Sequence, residues 1–196
     1  MKHAQDKIKH FKKLQYKLGH LLPKDRFRHS KRVAKLAENL AKHYRVDIFK
    51  AKTAALLHDC SRFLIPGQML TKARALGYKI GKIEEFEPKL LHADLSAYYA
   101  KKKFGIKDKG ILRAIRSHTV GSARMSLLDK VVYLADHIEE NRNFKGVAEV
   151  KRKAYKDIDQ AVIGSLGIMI NHLTKIGHPL HQLTIKSRNN LILKRK

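Results

Sequence analysis

Apolar residues recur at steps of three and four along almost the whole chain, the period of one face of an α-helix. Ile8, Phe11, Leu14 and Leu18 form one stripe; Val33, Leu36, Ala37, Leu40, Ala41 and Tyr44 form a cleaner second one. The same spacing predicts helices over about 48–59, 67–77, 92–104, 109–118, 126–138 and 155–175. Alternating patterns suited to strands are short, the best being 182–186 and 190–193. Pro23, Pro66, Pro88 and Pro179 fall between the stripes, where a residue that interrupts helices belongs. Gly77, Gly105 and Gly177 sit just past apolar stripes, as helix-ending glycines do. No repeat and no low-complexity linker divides the chain. The expectation is a single all-α domain, a helical bundle. A basic N-terminal helix over 1–19 would pack on a main domain over 20–176, followed by a basic extension over 177–196.

Composition narrows the class. Of 196 residues, 43% are hydrophobic and 31% charged, which suits a folded domain with a full core. No apolar run approaches the roughly 18 residues of a membrane span, and the N-terminus has no signal-peptide core. The single cysteine, Cys60, allows no internal disulfide and fits a reducing, cytoplasmic setting; its expected role is that of a small buried thiol.

Charge is the strongest compositional signal. Lys and Arg number 43 against 17 Asp and Glu, a formal +26. Such a surface attracts polyanions such as nucleic acid, phosphorylated metabolites or anionic lipid, although a lysine-rich solvated surface gives the same number. The basic segments are Lys7 to Lys17, Lys101 to Lys103, Lys151 to Lys153 and the tail Lys194-Arg195-Lys196. Tryptophan is absent and aromatic residues are sparse beside these charges, which argues against a stacking platform for single-stranded nucleic acid.

The chemistry lies in the histidines. There are twelve, so one His-Asp dipeptide is within chance (about 0.6 are expected) and His58-Asp59 proves nothing alone. Position is more telling. His29 heads the face Val33, Leu36, Ala37, Leu40; His58 closes Ile48, Ala51, Ala55; His92 leads Leu95 and Tyr99. His118 ends Ile111, Ala114, Ile115, and Asp136 lies among Leu128, Val131, Val132 and Ala135. Five predicted helices thus each aim an imidazole or a carboxylate inward. A buried carboxylate without a partner is costly, and buried imidazoles demand hydrogen bonds. Divalent metal would satisfy His29, His58, Asp59, His92, His118 and Asp136 together. Taken singly, each histidine reads as an ordinary core histidine; the joint placement is the signal. Nitrogen and oxygen donors without thiolate suit Fe, Mn, Zn, Co or Ni with open positions. Six ligands exceed what one catalytic metal uses, and two metals bridged by Asp59 accommodate them.

The order His29, then His58-Asp59, then Asp136 resembles the H…HD…D signature of the HD-domain metal-dependent phosphohydrolases. The segments Arg26-Phe27-Arg28-His29-Ser30, Leu56-Leu57-His58-Asp59, Leu91-His92, Ile115-Arg116-Ser117-His118-Thr119-Val120-Gly121 and Leu134-Ala135-Asp136-His137-Ile138-Glu139 narrow the resemblance. They point to the YqeK-type family of symmetrical bis(5′-nucleosyl)-tetraphosphatases, over about residues 20–175. The chain departs from the family pattern in reading Glu139-Glu140-Asn141-Arg142 where Glu-Pro-Asn-Arg is usual. It also has Arg62 where Lys is common and His137 where an aromatic residue is common.

The resemblance implies an HD-type domain that hydrolyses diadenosine tetraphosphate to two ADP at a centre of two divalent transition metals, iron first. A metal-bridging hydroxide would attack phosphorus in line. Asp59, Arg62 and Thr119 are the expected catalytic side chains. Arg62, Arg116, Thr119, Arg124 and Arg142 are the expected substrate contacts, since guanidinium pairs phosphate oxygens in a fork. The partner is then a dinucleoside polyphosphate; no membrane is required, nucleic acid is compatible with the charge, and a homodimer is left open. The competing readings are an HD phosphohydrolase for nucleoside monophosphates or cyclic nucleotides, and a basic RNA- or ribosome-binding module. His172, His178 and His181 are expected to be surface or packing residues.

Overall fold

In the computed structural model, residues 2–194 are described, with side chains from residue 5; Arg195 and Lys196 of the basic tail lie outside them. Eleven α-helices and one 3-10 turn follow one another, and no strand occurs among the described residues: α1 (Lys2–Gly19), α2 (Lys24–His43), α3 (Ile48–Leu57), α4 (Pro66–Ala75), α5 (Lys82–Phe86), the turn Pro88–Leu91, α6 (His92–Lys102), α7 (Lys109–Ser117), α8 (Leu127–Ile138), α9 (Val147–Lys153), α10 (Ile158–Lys175) and α11 (Gln182–Leu193).

The centre is α3. Its residues Ala51, Thr53, Ala54, Ala55, Leu56 and Leu57 are all buried, because α2, α7 and α8 pack around it. Past its first turn, where Ile48, Lys50 and Lys52 reach the surface, the helix is apolar on nearly every side and must sit in the middle. Alanines on α2 (Ala34, Ala37, Ala41) and α3 (Ala51, Ala54, Ala55) let the two axes approach closely, while Leu40, Leu56, Leu57 and Leu134 fill the remaining space. Each such leucine contributes roughly 1.5–3 kcal/mol. Asp47 and Asp108 cap α3 and α7 by accepting from Lys50 N and Ile111 N, and Ser126 with Asp129 forms a capping box on α8.

The predicted helices are present, with ends that coincide or differ by at most three residues. In α1, Leu14 and Leu18 are buried but Ile8 is 58% exposed, since the helix outruns the surface it lies on. The strand candidates 182–186 and 190–193 are a correction: both lie within α11. Its buried residues are Thr184, Ser187 and Leu191, three and four apart, so the packed face is largely polar and hydropathy concealed its period. The short helices α5 and α9 carry too few apolar residues to announce themselves.

Candidate metal centre

The helix ends of the bundle converge on one point. His58 and His118 are the residues that close α3 and α7, and His92 begins α6 after the 3-10 turn. All three use the same local device. His58 Nδ1 donates to Ala55 O and His118 Nδ1 to Ile115 O, each at 2.6 Å, and His92 Nδ1 donates to Lys89 O. Each acceptor lies three residues back, among the last carbonyls of a helix or turn, which have no partner within it. The bond fixes the tautomer and turns Nε2 toward the centre. His29 on α2 achieves the same at long range, with Nδ1 3.3 Å from Glu139 Oε1.

The four Nε2 atoms meet two carboxylates. His29 Nε2 lies 2.9 Å from Asp136 Oδ1; His58 Nε2 lies 3.6 Å from both Asp136 Oδ1 and Asp59 Oδ2. On the other side, Asp59 Oδ1 is 3.4 Å from His92 Nε2 and 4.0 Å from His118 Nε2. Asp59 therefore presents one oxygen to each half of the cluster. His92 Nε2 and His118 Nε2 are themselves 2.9 Å apart, and Thr119 Oγ1 stands 3.1 Å from each.

Electrostatics follow from burial. Desolvation alone would raise the carboxyls of Asp59 and Asp136, yet attraction to His58 at Asp59, and the His29 hydrogen bond with His58 at Asp136, hold both below the usual range. Burial keeps His92 below its ordinary value and His118 down at about 3, so these rings are neutral and offer lone pairs.

The donor set fits divalent metal. His58 Nε2 is buried and has no hydrogen-bond partner. The hydroxyl proton of Thr119 can satisfy only one of the two Nε2 atoms it faces, so lone pair meets lone pair between His92 and His118 unless a cation stands there. The residues also sort into overlapping triads of ligand atoms lying within 4.8 Å of one another: His29, His58 and Asp59; His58, His118 and Asp136; Asp59, His92 and His118. Overlap through His58, Asp59 and His118 is what a two-ion centre requires.

The centre floors a cavity of about 780 Å³. Three arginines ring the floor. Arg26 reaches Asp59 Oδ2 at 3.3 Å, Arg62 reaches Asp59 Oδ1 at 3.4 Å, and Arg142 donates to Asp136 Oδ1 at 2.8 Å and to its carbonyl at 2.9 Å. Of the residues expected at the site, all six metal ligands, Thr119, Arg62 and Arg142 are brought together. Arg116 is not; it pairs with Asp94 at 3.5 Å in a separate cavity of about 290 Å³. Arg124 is exposed and does not line the metal cavity.

Several participants were not expected at the site, although Arg26 and Glu139 lie within the family-like segments. Arg26 heads α2, one turn before His29. Buried Glu139 holds His29 while accepting from Arg32 Nε at 2.7 Å and Asn141 N at 2.9 Å. The i, i+3 spacing of His29 and Arg32 on α2 was the available hint, since it places both over one acceptor. His172, expected as a surface or packing residue, lines the cavity with Phe144, Lys145, Ile168 and Lys175. His181 pairs with Glu84, and His178 meets Phe86 edge to face. Cys60 is buried, donates to Ser96 O at 3.3 Å and is pushed up to about 12, which leaves it an unreactive thiol.

Comparisons with known proteins agree with this geometry. The HD domain model matches residues 26–141. A symmetrical bis(5′-nucleosyl)-tetraphosphatase of Halalkalibacterium halodurans is 40% identical over 177 residues, covering 89% of this chain and 93% of the relative. That of Bacillus subtilis is 36% identical, covering 87% and 91%. A crystal structure of a predicted HD superfamily hydrolase involved in NAD metabolism, from Clostridium acetobutylicum, superposes with a TM-score of 0.90 at 38% identity, covering 95% of this chain and 98% of that one. The chain belongs to the HD-domain family, among relatives named symmetrical bis(5′-nucleosyl)-tetraphosphatases.

Proposed function

We propose that this protein is a metal-dependent hydrolase that splits diadenosine tetraphosphate into two ADP. The observation that carries the reading is the convergence of six donor side chains from five segments on the floor of an arginine-ringed cavity. The names of its relatives support the same substrate.

In this reading His29, His58 and Asp136 would hold one divalent ion and His92 and His118 a second, with Asp59 within reach of both. Iron is the first candidate, with Mn, Zn, Co and Ni as alternatives that the same donors accept. Two such ions supply a water of lowered pKa and withdraw charge from the phosphoryl oxygens. The chain supplies the rest. Arg26, Arg62 and Arg142 are paired to Asp59 and Asp136, so their guanidinium groups already lie beside the place where the central phosphates would enter. Thr119 presents its hydroxyl to a phosphoryl oxygen. Farther out, Phe144, Ile168 and Met169 offer an apolar wall for a nucleoside, beside Lys145 and Lys175. The bulk of the +26 charge favours approach of a polyanion whatever its contact residues.

No helix among the described residues is long and apolar enough to cross a membrane. With a lone buried thiol and a nucleotide substrate, we place the enzyme in the cytoplasm.

The test is chromatography of products from diadenosine tetraphosphate with metal-loaded protein. ADP alone is expected. AMP with ATP, or orthophosphate released only from a mononucleotide, would assign the site to another HD phosphohydrolase reaction.

A further inference from the structure

The loop between α7 and α8 carries Thr119, and α11 grips that loop at two points. Gly121 has a φ of +75°, which an L side chain rarely adopts. A Cβ at that position would stand 2.5 Å from Ser187 Oγ and 2.9 Å from Ser187 Cβ, so the backbone is pressed directly against α11. Ser187 cannot swing aside freely, because its hydroxyl donates to Leu183 O at 2.6 Å. One helical turn onward, Asn190 Nδ2 donates to Ala123 O at 2.7 Å. The helix itself is fixed at its start: His181 Nδ1 accepts from Leu183 N at 3.1 Å, and Nε2 meets Glu84 Oε1 at 3.0 Å. Thr184, Ser187 and Leu191 are buried along the same side.

Thr119 is two residues before Gly121, and its hydroxyl depends on the loop for its place 3.1 Å from both His92 Nε2 and His118 Nε2. A displacement of about 1 Å at such a group costs on the order of 10²-fold in rate. The Ala123 carbonyl and the Gly121 backbone are the loop's ties to α11, and Gly121 N donating to Ser117 O at 3.0 Å joins it to the end of α7.

We propose that α11 is a positioning element of the active site: Asn190 and the Gly121–Ser187 contact hold residues 118–126 so that Thr119 faces the metal floor. This rests on the reading of Thr119 as a substrate contact. Asn190 touches no reacting atom and acts through Thr119.

A double-mutant cycle on the full chain, loaded with Mn²⁺ and assayed with diadenosine tetraphosphate, tests it. N190A is expected to lower kcat about 10-fold while KM and metal stoichiometry stay, and in a T119V background it should cost nothing further. Amide exchange in metal-free N190A should quicken over 118–126 and stay unchanged in α3. Equal losses in both backgrounds, or unchanged kcat in N190A beside a damaged T119V, would overturn the positioning role. A silent T119V would overturn it too, but by removing the Thr119 reading. If N190A does not fold, N190D keeps the volume, replaces the donor by a charged acceptor facing the Ala123 carbonyl, and should give the same loss of kcat.

Discussion

His92 Nε2 and His118 Nε2 face each other at 2.9 Å while both Nδ1 atoms are engaged with backbone carbonyls. Two neutral rings so arranged bring lone pairs together, which burial makes unfavourable. The arrangement becomes favourable when a cation takes both lone pairs. The pair is thus built for something held between it, and its dependence on that occupant can be measured.

Replacing either ring should remove one ion and not both. In H92A or H118A the His29, His58 and Asp136 half keeps its donors, so elemental analysis should fall from two metals per chain toward one. Two ions retained in both variants would refute the division of the cluster.

Asp59 touches both halves, so D59A should empty the centre. We expect turnover lost, metal content well below one per chain, and an unchanged helical circular dichroism spectrum. Helicity should survive because the carboxylate packs against imidazoles and arginines and fills no part of the apolar core.

Glu139 orients His29 without facing the cluster. E139Q keeps its shape and removes its charge, which should weaken metal binding by about 10–100-fold, as loss of a partner behind a ligating imidazole typically does. Titration with a chelator checks this. The half containing His29 should release its ion first.

Acid should destabilise the metal-free protein. His118 and His137 are held by burial at about 3 and about 4, against 6.5 in an exposed ring. Between pH 6.5 and those values the unfolded chain binds protons that the folded chain refuses, so stability falls as pH falls, by up to about 1.4 kcal/mol per pH unit for each ring. Asp59 and Asp136, held low by their neighbours, extend the loss below pH 4. Chemical denaturation of chelated protein at pH 7, 6 and 5 should show a steady decline; a flat profile would contradict the neutral burial of these rings.

The sequence exposed most of the proposed ligands because they sit in or at the ends of regular apolar helical stripes. His29 and Asp136 are read directly from α2 and α8, and His58, His92 and His118 from the ends of stripes. What it hid has physical reasons. Arg116 shares a segment with His118, but two helical positions turn the side chain by about 200°, away from the cavity and toward Asp94. Glu139 lies just past the end of α8, where periodicity no longer indicates direction. His172 and Lys175 reach the cavity only through the packing of α10 beside the loop after α8, a tertiary fact with no local signature. Helix α11 packs through Thr184 and Ser187, residues that hydropathy counts as surface.

The imidazoles of His58, His92 and His118 are each tethered within their own four-residue turn. Their aim is therefore settled as soon as the local backbone is, and for these three rings ion capture asks for no reorientation. Chelated protein should therefore regain its metal on simple addition of divalent ion, without passing through an unfolded state.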